Sequence, residues 1–186
     1  MNRVNWPILG IGVAVTAVLV LILNSGFGVD PKALPDALTG KDAPTFKLVD
    51  LNGKEWSQKE LEGRPVFVNF WSTWCGPCKM EHPMLLQAAR RYPDVQFVGI
   101  IYSDDNNKVR FQMRSPPYDQ LMDALVTSGV AYPNLDDSTG LAALDYGVGG
   151  VPESFFIDRS GRITHKEVGP LTAQKLTEQL DRIMAK

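Results

Sequence analysis

Residues 66–78 read VFVNFWSTWCGPC and bring a strand pattern directly against two cysteines. The stretch from Val66 to Ser72 is an almost continuous apolar, β-favouring run, which is typical of a central strand covered on both faces. Pro77 suits a first helical turn, and apolar residues at helical spacing continue to about Tyr92. The sequence therefore predicts a strand-to-helix junction that carries Cys75 and Cys78.

A second buried strand is predicted at residues 95–102. The order strand, helix, strand is a βαβ unit, and its right-handed crossover makes the two strands parallel. Strands at 153–157 and 162–168 follow, and Thr172 is expected to cap a final helix. We therefore expect an α/β domain, with a central mixed sheet and helices on both of its faces.

An N-terminal β-hairpin is expected to extend this sheet. Asn52-Gly53 lies between strand patterns at 45–51 and 54–56 and is a strong signal for a type I′ turn, whose two central residues have positive φ. Ser57 and Glu60 then have the spacing of a capping box for a short helix that ends at Gly63.

The stretch 104–137 has the weakest pattern in the chain. Helices are predicted at 109–113 and 120–128, separated by the helix-breaking Ser115-Pro116-Pro117. A short helix at 140–146 closes at Gly147.

Composition excludes some classes of function. The 19 basic and 21 acidic residues give a net charge of -2, which provides no basic field for nucleic acid. The two cysteines enclose too short a loop to staple a fold and are too few for a four-cysteine zinc site. Their spacing therefore favours redox chemistry, for which we expect neither a metal nor another cofactor.

The N-terminus is predicted to direct the domain out of the cytoplasm. Residues 8–23 are almost wholly apolar and approach the length of a membrane span, so residues 1–24 are expected to form a single-pass anchor. A signal peptide cleaved near Gly26-Phe27-Gly28 is the alternative. Arg3 precedes the apolar run and places the N-terminus in the cytoplasm, so both interpretations export the domain. Residues 25–44 are then a proline-punctuated linker, and residues 45–186 form the domain.

The expected helix position gives the two cysteines different roles. Unpaired N–H groups and the positive end of the helix dipole stabilise a thiolate at Cys75, which we expect to be the attacking sulfur. Cys78 lies one turn further on, where it can resolve a mixed disulfide, and should be the less exposed of the two. Half of a metal site and a pair of inert cysteines are the alternatives.

Residues 71–78 (WSTWCGPC) resemble the active-site segment of the thioredoxin superfamily. Residues 146–155 (YGVGGVPESF) resemble the segment that carries the cis-proline of that superfamily. The resemblance implies a thioredoxin fold with a cis Val151-Pro152 bond, whose loop faces Cys75 and offers Val151 backbone groups to a substrate strand. It also implies a substrate-binding surface, made up of Trp74, Gly76, Pro77, Val151, Pro152 and Glu153.

Thioredoxins carry a buried Asp where this chain has Asn69, which cannot accept a proton. Glu81 lies three residues after Cys78 on the same helix face and could shuttle the proton of the resolving thiol; a solvated helix residue is the alternative. Membrane-tethered reductases of cytochrome c biogenesis, the ResA/TlpA and CcmG/DsbE types, also carry Asn and Glu at these places. Glu153 and Glu81-His82 are similar to the CcmG/DsbE pattern, whereas Gly76-Pro77 is more like general thioredoxins.

The resemblance implies an extracytoplasmic thiol-disulfide oxidoreductase. Its expected substrate is the disulfide of a heme-binding C-x-x-C-H segment in apocytochrome c, and its expected electron donor is a membrane protein of the DsbD/CcdA type. A broader reductase or oxidase for exported proteins is an alternative within the same chemistry. A Cu(I)-binding module that uses the dithiol is an alternative of another class.

Two tryptophans and two histidines also have expected places. Trp71 is predicted in the core and Trp74 at the rim of the site. His82 and His165 are predicted to be surface or packing residues rather than ligands.

Overall fold

A computed structural model describes residues 5–26, 37–127, 129–130 and 132–185 of the 186-residue chain. The chain divides into two compact units between Ala33 and Leu34. The first unit contains the helix α1, Trp6–Gly26. Of the helices in the described ranges, none combines the length and apolarity that a membrane crossing needs. The anchor stays a prediction, and Phe27-Gly28 of the alternative cleavage site lie outside the described residues.

The second unit is built on a mixed sheet of seven strands in the order β2-β1-β5-β4-β3-β6-β7. Its strands are β1 (Lys47–Asp50), β2 (Glu55–Ser57), β3 (Val66–Trp71), β4 (Gln96–Ile101), β5 (Asn134–Asp136), β6 (Glu153–Ile157) and β7 (Ile163–Val168). Its helices are α2 (Gly76–Arg91), α3 (Asn106–Met113), α4 (Tyr118–Thr127), α5 (Leu141–Asp145) and α6 (Ala173–Met184).

Strand β3 lies inside the sheet, parallel to β4 and antiparallel to β6. All six of its residues are buried, as the apolar run predicts. Successive side chains point to opposite faces, so Phe67 and Trp71 enter one core cluster while Val68 and Phe70 enter the other. Asn69 shares the face of Phe67 and Trp71.

Helices cover both faces of the sheet, as expected. One cluster holds residues of α2, α3, α4 and α6, including Leu86, Val109, Leu125 and Leu180. The other holds the α5 residues Ala142 and Ala143 and N-terminal residues such as Trp56. The cysteines belong to the first cluster, so the α2 face of the sheet is the face that carries the site.

The N-terminal hairpin forms, but the type I′ prediction for its turn is wrong. Strands β1 and β2 pair antiparallel, and Gly53 takes a positive φ of 86°. Asn52 does not have positive φ, because the Asp50 carboxylate accepts its N–H at 2.8 Å and the turn spans four residues rather than two. Ser57 and Glu60 make their capping-box bond at 2.8 Å around a single 3₁₀ turn, Gln58–Glu60.

The weakly patterned stretch holds one strand that the sequence did not predict. β5 has only three residues and joins the sheet between β1 and β4. Its sequence, Asn-Leu-Asp, has little intrinsic β preference, so pairing on both edges rather than propensity makes it a strand. The predicted break between α3 and α4 is confirmed, and Pro116-Pro117 is cis.

Candidate functional site

Cys75 lies at the end of the short link that follows β3 and is the N-cap residue of α2. Its Sγ accepts the N–H of Cys78 at 3.1 Å. The two cysteines form a disulfide with an S–S distance of 2.03 Å. Cys75 is 4% exposed and Cys78 is 1% exposed, so the expected order of exposure is confirmed.

The first turn of α2 contributes the local electrostatics. Gly76 begins the helix, and Pro77 follows in the first turn, where its missing N–H costs no helical hydrogen bond. The N–H of Cys78 and the positive end of the helix dipole lie at Cys75 Sγ. They favour a thiolate at this sulfur once the disulfide is reduced.

Glu81 lies one turn beyond Cys78 and is buried. Its Oε1 accepts a hydrogen bond from Asn69 Nδ2 at 3.2 Å, and its Oε2 accepts the N–H of Leu171 at 2.8 Å. Burial raises the pKa of Glu81 to about 7, although both hydrogen bonds act in the opposite direction. A carboxylate in this environment can gain or lose a proton near neutral pH.

Asn69 also links Glu81 to the neighbouring strand β6. The same Nδ2 donates to Ser154 Oγ at 3.1 Å, and these two residues are register partners on β3 and β6. Ser154 lies on β6, so this hydrogen bond connects the Glu81 carboxylate with the strand that directly follows Pro152.

The loop 147–152 precedes β6. Its Val151-Pro152 bond is cis, as the resemblance implies. Within the described part of the chain, no backbone hydrogen bond engages Val151. Glu153 is buried; its Oε1 accepts the N–H of Gly149 at 2.9 Å, and its Oε2 lies 2.8 Å from Lys166 Nζ. Glu153 therefore contacts the loop through Gly149 and β7 through Lys166, and its place on the substrate-binding surface stays a prediction.

Trp74 forms an exposed rim beside the cysteines. Its side chain is 59% exposed, and its Nε1 donates to the carbonyl of Ser103 at 3.0 Å. A groove next to it is lined by four aspartates at the ends of β4 and β5, together with Lys108; the aspartates are Asp104, Asp105, Asp136 and Asp137. In the described ranges, no group of three or more His, Cys, Asp or Glu side chains is arranged to hold a metal ion.

His82 packs inside the protein, in one of the two ways that the sequence left open. Its ring centroid lies 4.4 Å from that of Trp71, 5.6 Å from that of Tyr118 and 5.8 Å from that of Tyr132. Neither ring nitrogen has a hydrogen-bond partner among the described residues. Burial lowers the pKa of His82 to about 3, so the ring is neutral at physiological pH.

Comparison with known proteins decides the family. The Redoxin family model matches residues 38–181, which is most of the chain. The chain belongs to the Redoxin family. Within it, the chain is 35% identical to the thiol:disulfide interchange protein HelX of Rhodobacter capsulatus, over 84% of this chain and 82% of that protein. It is 34% identical to the thiol:disulfide interchange protein DsbE of Pseudomonas aeruginosa, over 88% and 84%.

Solved structures give the same result for the fold. The crystal structure of a thiol:disulfide interchange protein of the thioredoxin family from Chlorobium tepidum matches with a TM-score of 0.62 and 30% identity, covering 77% of this chain and 95% of that one. This Redoxin protein therefore has a thioredoxin-like fold and is a thiol-disulfide oxidoreductase of the DsbE/CcmG type.

The sequence identified most of the groups that the structure brings together. It did not identify Lys166, whose Nζ lies against Glu153, or the Asn134 side chain, which accepts a hydrogen bond from Trp71 Nε1 at 2.9 Å. The aspartate groove was also missed. These groups come from separate segments that the sheet order brings together. The visible signals were the two runs Asp104-Asp105 and Asp136-Asp137.

Proposed function

We propose that this protein reduces the disulfide of heme-binding C-x-x-C-H segments in apocytochrome c, outside the cytoplasm. Its similarity to DsbE-type interchange proteins supports the chemistry. The observation that carries the proposal is the buried Glu81, whose pKa of about 7 and place one turn beyond Cys78 suit a proton acceptor for the resolving thiol.

The first step forms a mixed disulfide. The Cys75 thiolate attacks one sulfur of the substrate disulfide, so a Cys75-to-substrate S–S bond forms as the substrate S–S bond breaks. The second substrate sulfur leaves as a thiolate and takes up a proton from solvent. The N–H of Cys78 and the helix dipole stabilise the Cys75 thiolate before it attacks.

The second step releases the substrate. Cys78 transfers its proton to the Glu81 carboxylate and attacks Cys75 Sγ, which forms the Cys75–Cys78 disulfide and expels the other substrate sulfur as a thiolate. That thiolate is protonated, and the substrate has then gained two electrons and two protons. Glu81 later returns its proton to solvent, and the Cys75 thiol has already released its own proton to solvent on ionising, so the dithiol protein loses two electrons and two protons over the whole cycle.

The substrate segment binds beside the proline loop. The free backbone groups of Val151 pair with an extended chain, and cis Pro152 holds the loop next to Cys75. Trp74, Gly76 and Pro77 form the other wall of this binding surface. The aspartates beside Trp74 attract a cationic segment, including a protonated histidine in C-x-x-C-H.

A dithiol partner in the membrane, of the DsbD/CcdA kind, restores the reduced Cys75–Cys78 pair. Exported thiols encounter an oxidising compartment, so a reductant there needs electrons that come through the membrane. The apolar run at residues 8–23 supports export, because an anchor and a cleaved signal would both send the domain across. Protease treatment of spheroplasts tests this location: the domain should be cleaved without lysis.

Trapping in cells tests the substrate. Cys78→Ala leaves the mixed disulfide unresolved, so apocytochromes should be recovered as adducts of Cys75 by non-reducing electrophoresis and mass spectrometry. The double variant Cys75→Ala/Cys78→Ala is the control and should trap none. If the adducts are varied exported proteins without apocytochromes, the protein is a broader reductase or oxidase and the substrate assignment fails.

A further inference from the structure

A buried ion pair lies behind the proline loop. Lys166 Nζ on β7 is 2.8 Å from Glu153 Oε2 on β6, and the two side chains are 5% and 3% exposed. The other ion pairs of the described residues have at least one partner that is much more exposed. Desolvating two charges is costly, and their mutual attraction alone often fails to offset that cost.

Each member of this pair also bonds to the loop. Lys166 Nζ donates to the carbonyl oxygen of Gly147 at 3.0 Å, and Glu153 Oε1 accepts the N–H of Gly149 at 2.9 Å. The aliphatic and aromatic surroundings include the Phe155 ring, whose centroid lies 5.3 Å from Nζ. The pair therefore fixes two backbone groups of the loop, two and four residues before Val151.

We propose that Lys166 is a positioning residue for substrate binding, because it holds Glu153 and the Gly147 carbonyl so that the loop presents Val151 in one conformation. This inference rests on the proposed docking of substrate beside Val151. Without the ammonium group, the Glu153 carboxylate would be buried without a countercharge, and its bond to Gly149 would no longer be held in place. A mobile loop would then have to be ordered each time a substrate binds, which weakens binding without changing the sulfur chemistry.

Lys166→Met tests this role because it keeps the aliphatic stem and removes the charge. The probe is an oxidised synthetic Cys-X-X-Cys-His peptide, mixed with the reduced full-length protein over a range of peptide concentrations. We expect the half-saturating concentration to rise by about tenfold, with the limiting rate within about threefold of wild type. The rate with a small aromatic disulfide, dithiobis-nitrobenzoate, should stay unchanged because that probe does not span the loop.

Lys175→Met is the matched control. It removes the ion pair between Lys175 and Glu167. The lysine of this pair is more exposed than Lys166, and neither residue belongs to the loop 147–152. Its half-saturating concentration should equal that of wild type. If Lys166→Met does not fold, the doubly neutral Lys166→Met/Glu153→Gln variant replaces it, with the same expected rise.

Hydrogen exchange at the Gly149 amide gives a second readout. We expect this amide to exchange at least about tenfold faster in Lys166→Met, while core amides of β3 stay protected. A lower unfolding midpoint with an unchanged half-saturating concentration, or unchanged Gly149 exchange, would overturn the inference. If wild type does not reduce the peptide, the proposed substrate is wrong, and Gly149 exchange still decides whether Lys166 orders the loop.

Discussion

The side-chain amide of Asn69 donates to Oε1 of Glu81 at 3.2 Å, across the contact between β3 and α2. An amide can orient the carboxylate but cannot exchange a proton with it at neutral pH. In thioredoxins, the resemblance assigns the acid-base function to a carboxylate on the strand; here the strand carries Asn69, and Glu81 offers a carboxylate from the helix. This arrangement places the ionisable group one turn from Cys78.

Glu81→Gln should slow the resolving step by about 100-fold, because it keeps the size and hydrogen bonding of the side chain but removes the base. In wild type, the rate of mixed-disulfide resolution should rise as pH passes about 7, where Glu81 ionises. The variant should lose that rise. Stopped-flow measurements from pH 5.5 to 8.5 test this, with the exposed Glu178→Gln on α6 as control. A variant profile that keeps the inflection near pH 7 would exclude Glu81 as the proton acceptor.

His82→Leu should change how stability depends on pH. His82 has a folded pKa of about 3 against 6.5 for the free side chain, so the unfolded chain binds more protons between these values. His82 therefore lowers stability as pH falls below about 6.5, by at most about 1.4 kcal/mol per pH unit. His82→Leu lacks this ring, whose nitrogens have no hydrogen-bond partner among the described residues, so its free energy of unfolding should no longer decrease through His82 as pH falls below about 6.5.

Glu81 has the opposite effect in an overlapping range. Its folded pKa is raised from 4.5 to about 7, so the folded protein binds more protons there and loses stability as pH rises through that range. Urea unfolding from pH 4.5 to 6.5 should thus show stability that falls with rising pH in His82→Leu and increases with rising pH in Glu81→Gln. Parallel curves for the two variants would show that neither group is buried as described.

Gly99→Ala should destabilise the protein by about 1 to 3 kcal/mol. A Cβ at Gly99 would lie 2.5 Å from Asn134 Oδ1 and 2.9 Å from Trp71 Nε1, the two atoms that form a buried hydrogen bond. Gly150→Ala is the control, because a Cβ there meets no atom within 4 Å. Chemical denaturation of the oxidised proteins measures both, and equal stability of the two variants would contradict the predicted clash.

The reduction potential of the Cys75–Cys78 pair should show whether the protein acts as a reductant or as an oxidant. We expect a potential near thioredoxin's value of about -270 mV rather than near about -120 mV, the value of a strong oxidant. Equilibration with glutathione or dithiothreitol buffers, followed by Trp fluorescence, measures it. A value at the oxidising end would favour the oxidase alternative.

The elements next to the cysteines could be predicted because their signals are local. The run from Val66 to Trp71 specifies a buried strand by itself, and Pro77 and the helical spacing specify the start of α2. The cis Val151-Pro152 bond could be predicted only through the resemblance, since the residues alone are also compatible with a plain tight turn.

The remaining features depend on contacts between distant segments. β5 is a strand because β1 and β4 pair with its two edges. Lys166 reaches Glu153 because β7 pairs with β6, and the sequence gives no sign that this lysine is buried. The prediction of a type I′ turn at Asn52 was wrong for a local reason. The Asp50 carboxylate accepts the N–H of Asn52 and stabilises a longer turn.

In the proposed reaction, Cys75 attacks the substrate disulfide and Cys78 resolves the mixed disulfide. The most direct test mixes each reduced single variant, Cys78→Ala and Cys75→Ala, with an equal amount of the oxidised Cys-X-X-Cys-His peptide, followed by mass spectrometry under acid quench. Cys78→Ala should accumulate a one-to-one mixed disulfide through Cys75, and Cys75→Ala should form little adduct. Equal or greater adduct formation through Cys78 would contradict the account.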